Sequence, residues 1–232
     1  MKNTTWMALS LSAGLLSAAC GEPSREPTEP AREEAVAEPQ AEEQRVEQPA
    51  EPASPEAPEV ATVGQPAPDF TLTDQAGAEH RLSQYRGRIV VLEWINPECP
   101  YVQRHYRART MTTLEQALPD DQVVWLAIDS SHFVRPESSE TWRTEHQMAY
   151  PVLQDPAGTV GRLYAARTTP HMYVIDAEGT LRYAGGIDDD PRGQSATPTN
   201  HVERAVRALM SGEPVPAQTT EPYGCTVKYQ EA

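Results

Sequence analysis

The sequence predicts an α/β protein of three layers, with helices on both faces of a mixed central sheet. Three observations predict it. Ile89 to Ile95 is a continuous run rich in apolar and β-branched residues, apolar on both faces as a central parallel strand must be. Val123 to Ile128 is a second such run, and the stretch between the two carries apolar residues at helical spacing, which is the order of a parallel strand-helix-strand unit. Met172 to Ile175 and Leu181 to Ala184 flank the turn Asp176-Ala177-Glu178-Gly179, so a hairpin adds antiparallel pairing.

The remaining elements follow in chain order. Phe70 to Thr73 reads as a short strand. Residues 100 to 117 read as one helix, with Tyr101, Val102, His105, Tyr106, Leu114 and Leu118 at roughly helical spacing and Pro119 as its stop. Pro136 opens another helix, with Glu137 in the first turn where the helix dipole favours a carboxylate. A short strand at Val152 and Leu153, a short helix near Thr159 to Tyr164 and a final helix from Asn200 to Met210 complete the pattern. No internal repeat is visible.

Before residue 62 the chain is a different polymer. Lys2, the apolar run from Trp6 to Ala19 and the small residues Ser17-Ala18-Ala19 form a secretory signal too short to span a membrane. Cys20 follows directly, so residues 1–20 resemble a bacterial signal ending in a lipobox, with Cys20 as the lipidation site. Leu16 stands one place earlier than the usual large apolar residue, and ordinary cleavage near Ala19 is the alternative. Residues 21–60 hold 12 Glu, 8 Pro and 3 Arg with no aromatic residue, which gives them −9 of the chain's net −15. Such a segment cannot bury enough apolar surface to offset its ordering entropy, so 21–61 is expected to be a disordered tether. The net negative charge, with no basic patch, opposes nucleic acid and anionic lipid heads as partners. Residues 62–232 are then one domain with a cysteine-bearing tail, in an exported protein of the periplasm or cell envelope anchored to the membrane through Cys20.

Within that domain the first candidate for chemistry is Cys99. A buried strand runs through Asn96-Pro97-Glu98 into Cys99, and Pro100 then opens a helix. The unpaired N–H groups and positive dipole end of a helix stabilise a thiolate, so a cysteine there loses its proton below the ~8.5 of a free thiol. A turn-surface sulfur of this kind is expected to contribute little to packing. Cys225 is the domain's other cysteine, and in an exported protein two cysteines can pair.

Cys99-Pro100-Tyr101-Val102 resembles the Cys-x-x-Cys turn of thioredoxin-fold proteins, with Val102 in place of the second cysteine. Arg167-Thr168-Thr169-Pro170-His171 resembles the second half of that site, which implies a cis Thr169-Pro170 bond facing the thiol. Tyr223-Gly224-Cys225-Thr226-Val227-Lys228-Tyr229 resembles the tail of a redoxin subgroup in the AhpC/TSA-like superfamily. With Gly64-Gln65-Pro66-Ala67-Pro68-Asp69-Phe70 and Gly185 to Asp190, the resemblance covers about residues 62–229 and implies a thioredoxin-like fold. It implies Cys99 as nucleophile, Cys225 as resolving cysteine on a tail mobile beyond Pro222, Pro170 and Glu93 as further catalytic residues, and Thr169, Pro100 and Tyr101 as substrate contacts. No metal or cofactor is implied.

Several residues carry two readings. Glu93 is either the buried acid of thioredoxins, its pKa raised for proton transfer, or a strand-end acid paired with a base. His105 and His171 either tune the thiolate or are core or solvated histidines. Asp188-Asp189-Asp190 is either a cation site or a solvated acidic loop. Three functions result: thiol-disulfide exchange with an external thiol reductant, hydroperoxide reduction through a Cys99 sulfenic acid, or a non-enzymatic metal carrier or partner-binding module. Peroxiredoxins resemble Pro-x-x-x-Thr-x-x-Cys and use an arginine at the start of the later strand. Leu92, Asn96 and Pro170 stand at those places here.

Overall fold

The structure, a computed structural model, describes residues 60–231. The signal segment with Cys20 and residues 21–59 of the tether lie outside the described residues. In chain order the elements are β1 (Thr71–Asp74), β2 (Glu79–Arg81), β3 (Ile89–Trp94), α1 (Pro100–Arg107), α2 (Thr110–Gln116), β4 (Val123–Asp129) and α3 (Pro136–Glu145). Then come β5 (Val152–Gln154), α4 (Thr159–Leu163), β6 (Thr168–Thr169), β7 (His171–Ile175), β8 (Leu181–Gly185), α5 (His201–Met210) and β9 (Cys225–Thr226).

Seven strands form one sheet in the order β2-β1-β5-β4-β3-β7-β8. The pairs β3–β4 and β4–β5 are parallel, and the others are antiparallel. This is the thioredoxin-like α/β fold with a mixed central sheet. β3 is buried at every position and feeds two cores. Val90, Leu92 and Trp94 pack with Phe70, Leu82, Val160 and Tyr164 on one face. Ile89 and Val91, with Ile95 just beyond, pack against α1, α2, α3 and α5 on the other. Each such side chain gains about 1.5–3 kcal/mol from burial, and a one-residue slip would exchange the faces, so the register that delivers Cys99 is strongly fixed.

One predicted element differs. The helix over 100–117 is two, broken at Ala108 and Arg109, where Arg109 takes a left-handed φ of 58°. The cause is visible in the spacing. Tyr106 and Met111 both enter the core, and five residues is out of phase with a helix face, so the chain re-phases by breaking. Two short pairings escaped the sequence pattern: β2 on β1, and β6 on β9. Among the described residues no helix is long and apolar enough to cross a membrane.

Candidate active site

The turn after β3 is built by its own polar groups. Asn96 Oδ1 accepts the Glu98 N–H at 2.7 Å, Asn96 O accepts the Cys99 N–H at 2.9 Å, and Gln103 Nε2 donates to Pro97 O at 2.9 Å. Cys99 is the N-cap of α1 and Pro100 its first residue. The sulfur is not on the surface: Cys99 is 2% exposed and belongs to the core around Val102 and Tyr106. The expectation of a turn-surface thiol is corrected here, because the tail lies over it.

The Thr169–Pro170 peptide is cis, and the Cys99 thiol donates to Thr169 O at 2.9 Å. Thr169 is in antiparallel register with Cys225. Burial pushes the Cys99 thiol up, but contacts with the Cys225 thiol and Thr169 and the N–H groups of Val102 and Cys225 prevail, leaving it below its ordinary value. Burial and the Cys99 sulfur push Cys225 up to about 11, with the Tyr101 N–H acting weakly the other way. The first proton therefore leaves Cys99, and Cys225 stays a thiol beside the thiolate.

The tail was expected to be mobile beyond Pro222; instead it is clamped. Residues 218–220 run beside β8, where Ala184 N–H donates to Gln218 O and Thr220 N–H to Ala184 O. Tyr223 Oη reaches Asp188 and His105 Nε2, the latter at 3.0 Å. Gly224 lies directly on the cis peptide: a Cβ there would stand 2.0 Å from Thr169 O, and its φ is +146°. Val227 is buried in the second core, and Tyr229 Oη donates to Ala166 O at 2.8 Å while its ring fills the space left by Gly158 and Gly161. The sequence singles out this segment as a motif. The work of its two tyrosines is written in partners far along the chain.

Glu93 lies on the Cys99 face of β3, fully buried. Its partners are aromatic, not basic: Trp125 Nε1 donates at 2.8 Å, Tyr106 Oη at 3.2 Å and Tyr150 Oη at 3.5 Å, all to Oε2. Oε1 has no partner among the described residues. Burial raises the carboxyl to about 7 against these three donors. Of its two readings, the buried acid is the one that the geometry supports.

His105 is buried and held neutral, with burial lowering it to about 4. His171 is lowered by burial to about 3 and bonds Tyr173 Oη and the Arg167 N–H. Both are core histidines. Of the three aspartates Asp188 and Asp190 are buried and Asp189 is exposed. Asp188 accepts the Asp190 N–H, Asp190 accepts those of Gln194 and Ser195, and Asp189 accepts that of Thr199, so they shape the loop before α5. Among the described residues no group of three or more His, Cys, Asp or Glu could hold a metal ion.

Comparison with known proteins bears on the family and the fold. The profile described as the AhpC/TSA family matches residues 63–184, which stops short of Cys225. A provisionally named peroxiredoxin of Synechocystis sp. is 30% identical over 165 residues, covering 66% of this chain and 82% of that protein. The thiol-disulfide oxidoreductase ResA of Geobacillus kaustophilus is 30% identical over 121 residues, 52% of this chain and 67% of that one. Among solved structures, a hypothetical protein of Sinorhizobium meliloti superposes with a TM-score of 0.66 at 25% identity, covering 75% of this chain and 98% of that one.

Proposed function

This chain belongs to the AhpC/TSA family, a redoxin family of thioredoxin fold, and from that premise we propose that it is a thiol-disulfide oxidoreductase whose working pair is Cys99 and Cys225. The observation that carries the reading is that Thr169, whose carbonyl accepts the Cys99 thiol proton, stands in register with Cys225, which brings the two thiols close enough for one to be lowered and the other raised. Cys99 is the nucleophile: its thiolate attacks a substrate disulfide, one substrate sulfur leaves, and the Cys225 sulfur then displaces the other to close the Cys99–Cys225 bond. Glu93, under the same core face, takes or supplies the proton. Pro170 and Thr169 shape the wall facing the sulfur, and Pro100 and Tyr101 border its outer rim. An external thiol reductant returns the pair to the dithiol.

A second reading is hydroperoxide reduction, in which Cys99 becomes a sulfenic acid and condenses with Cys225, releasing water. It is favoured by the 2% exposure of Cys99, which admits a small oxidant more readily than a polypeptide. Against it, Asn96 Oδ1 is engaged by the turn and Pro170 stands in place of an arginine. Stopped-flow oxidation of the reduced chain by hydrogen peroxide and by a small disulfide separates the two. Faster reaction with the disulfide is expected, and a fast reaction with peroxide alone would replace the first reading by the second.

The envelope placement belongs to the same proposal. Residues 1–20 direct export, an acylated Cys20 holds the membrane, 21–61 form the tether, and 62–232 are the redoxin domain with its tail. The support is the sequence at Lys2 to Cys20 and the Glu/Pro composition that follows. Mass spectrometry of the envelope-extracted protein should find a lipid on Cys20, and Cys20→Ser should release it; an unmodified mature N-terminus at another residue overturns the anchor.

A further inference from the structure

Beside the thiol pair lies a cavity of about 330 Å³ lined by Pro100, Tyr101, Arg104, Pro191, Arg192 and Gln194. Its position follows from the chain: Pro100 and Tyr101 are the two residues after Cys99, and the Tyr101 ring lies against that of Tyr223, two residues before Cys225, with the centroids 6.1 Å apart. The cavity thus lies beside the start of α1 and the strap that carries Cys225; neither cysteine lines it, and of the two Cys225 is partly exposed while Cys99 is 2% exposed. Its charge is positive. Arg104 is fixed there through the carbonyl oxygens of Pro191 and Asp190, at 2.9 and 3.0 Å, and lies over the Tyr101 and Tyr223 rings. Its guanidinium is held in place without a carboxylate partner among the salt bridges of the described residues; Arg192, exposed at the cavity rim, has no such partner either. The nearby acids do not line the cavity and are occupied by other donors: Asp190 caps the N–H groups of Gln194 and Ser195, and Asp188 is taken by Tyr223 and the Asp190 N–H.

We propose that this cavity receives the anionic group of a small thiol reductant, held between Arg104 and Arg192, so that electrons enter the oxidised pair through Cys225. The inference rests on the Cys99–Cys225 disulfide being the oxidised state. The donor thiolate attacks Cys225 Sγ, the Cys225–Cys99 bond breaks, and its electron pair leaves on Cys99 as a thiolate, the better leaving group of the two. A second donor thiolate attacks the donor sulfur of the mixed disulfide, releasing the donor disulfide and Cys225, which takes a proton from water. Two thiols are oxidised and one protein disulfide is reduced. The net charge of −15 would repel such a donor at long range. At physiological salt charges farther than about 8 Å are screened, so the local arginines decide.

The test uses the full chain, oxidised stoichiometrically and mapped for its disulfide before use. A chain that yields no Cys99–Cys225 peptide overturns the proposed function and this inference with it. With the disulfide in hand, reduction is followed with mercaptopropionate, mercaptoethanol and cysteamine, each rate taken per thiolate. The anionic thiol should react about fivefold faster than the neutral one, the size of one exposed ion pair, and lose that lead at high salt. In Arg192→Gln the ratio of the anionic to the neutral rate should fall toward one. After a single turnover quenched with an alkylating agent, the donor should be found on the peptide carrying Cys225. An adduct on Cys99, or an anionic thiol no faster than the neutral one, overturns the cavity's role while leaving the disulfide pair intact.

Discussion

Cys99 stands at the end of a strand buried along its whole length, and the turn that presents it is tied by its own backbone and by Asn96 and Gln103. Cys225 stands in a two-residue strand that pairs with only two others, between a tyrosine clamp on each side. Apolar burial summed over β3 makes the first region part of the global core, which opens only when the protein unfolds. The second is a strap with few buried apolar groups, the kind of segment that opens locally at a fraction of the global cost. The two thiols meet because a rigid wall is faced by a releasable one. The proposed exchange needs both, since its disulfide must form where the pair is held and be reached where the strap can lift.

The largest expected effect breaks the rigid side. Cys99→Ser should eliminate thiol-dependent turnover, because no other cysteine of the domain stands at the helix start. It should also cost about 1–2 kcal/mol of stability, read as a lowered Tm, since a hydroxyl replaces a buried sulfur. Unchanged stability would mean that the sulfur is solvated after all. Glu93 sharpens the same side. Its carboxyl is about 7 in the folded state and about 4.5 when exposed in the unfolded chain, so above pH 4.5 the folded chain holds a proton that the unfolded chain has lost. Stability from this group falls as pH rises from 4.5 to 7, by about 3 kcal/mol, and stays low above. Urea unfolding at pH 5 and pH 8 should show this difference in the native chain and lose it in Glu93→Gln; an unaltered pH slope in the variant assigns the dependence elsewhere.

The contrast also governs what the sequence discloses. Continuous burial leaves a compositional mark, so β3, β4 and the hairpin of β7 and β8 are legible to within a residue or two, as is Asn200, whose side chain accepts the Glu203 N–H as a helix cap. The break between α1 and α2 is written in the five-residue step from Tyr106 to Met111. Nothing of that kind marks β6 and β9, because two residues carry no periodicity and their hydrogen bonds are long-range. The aromatic cage of Glu93 is equally hidden, its members coming from α1, β4 and the loop before β5. Asp188 and Asp190 before α5 look solvated in sequence because the N–H groups that they cap belong to a loop whose shape is set by tertiary packing.

On the strap side, Gly224→Ala should act next. A methyl group 2.0 Å from Thr169 O, at a φ of +146°, forces the tail off the cis peptide. Backbone strain of about 1–3 kcal/mol raises the open population by about tenfold or more, so Cys99 should be alkylated that much faster and the disulfide should close more slowly. Equal alkylation rates would show that the tail does not cover the sulfur.

The smallest effect tests whether the strap opens independently of the core. Tyr229→Phe keeps the ring in the space beside Gly158 and Gly161 and removes one hydrogen bond, the 2.8 Å contact with Ala166 O. A bond of this type is worth about 1 kcal/mol, so if Tyr229 holds only the strap, local opening should become about fivefold more frequent. Alkylation of Cys99 would rise by that factor while the global unfolding midpoint stayed nearly in place, because the core on either face of β3 is untouched. The opposite pattern, a lowered midpoint with unchanged alkylation, would mean that Tyr229 and the second core unfold as one unit, and that Cys225 is as rigidly held as Cys99.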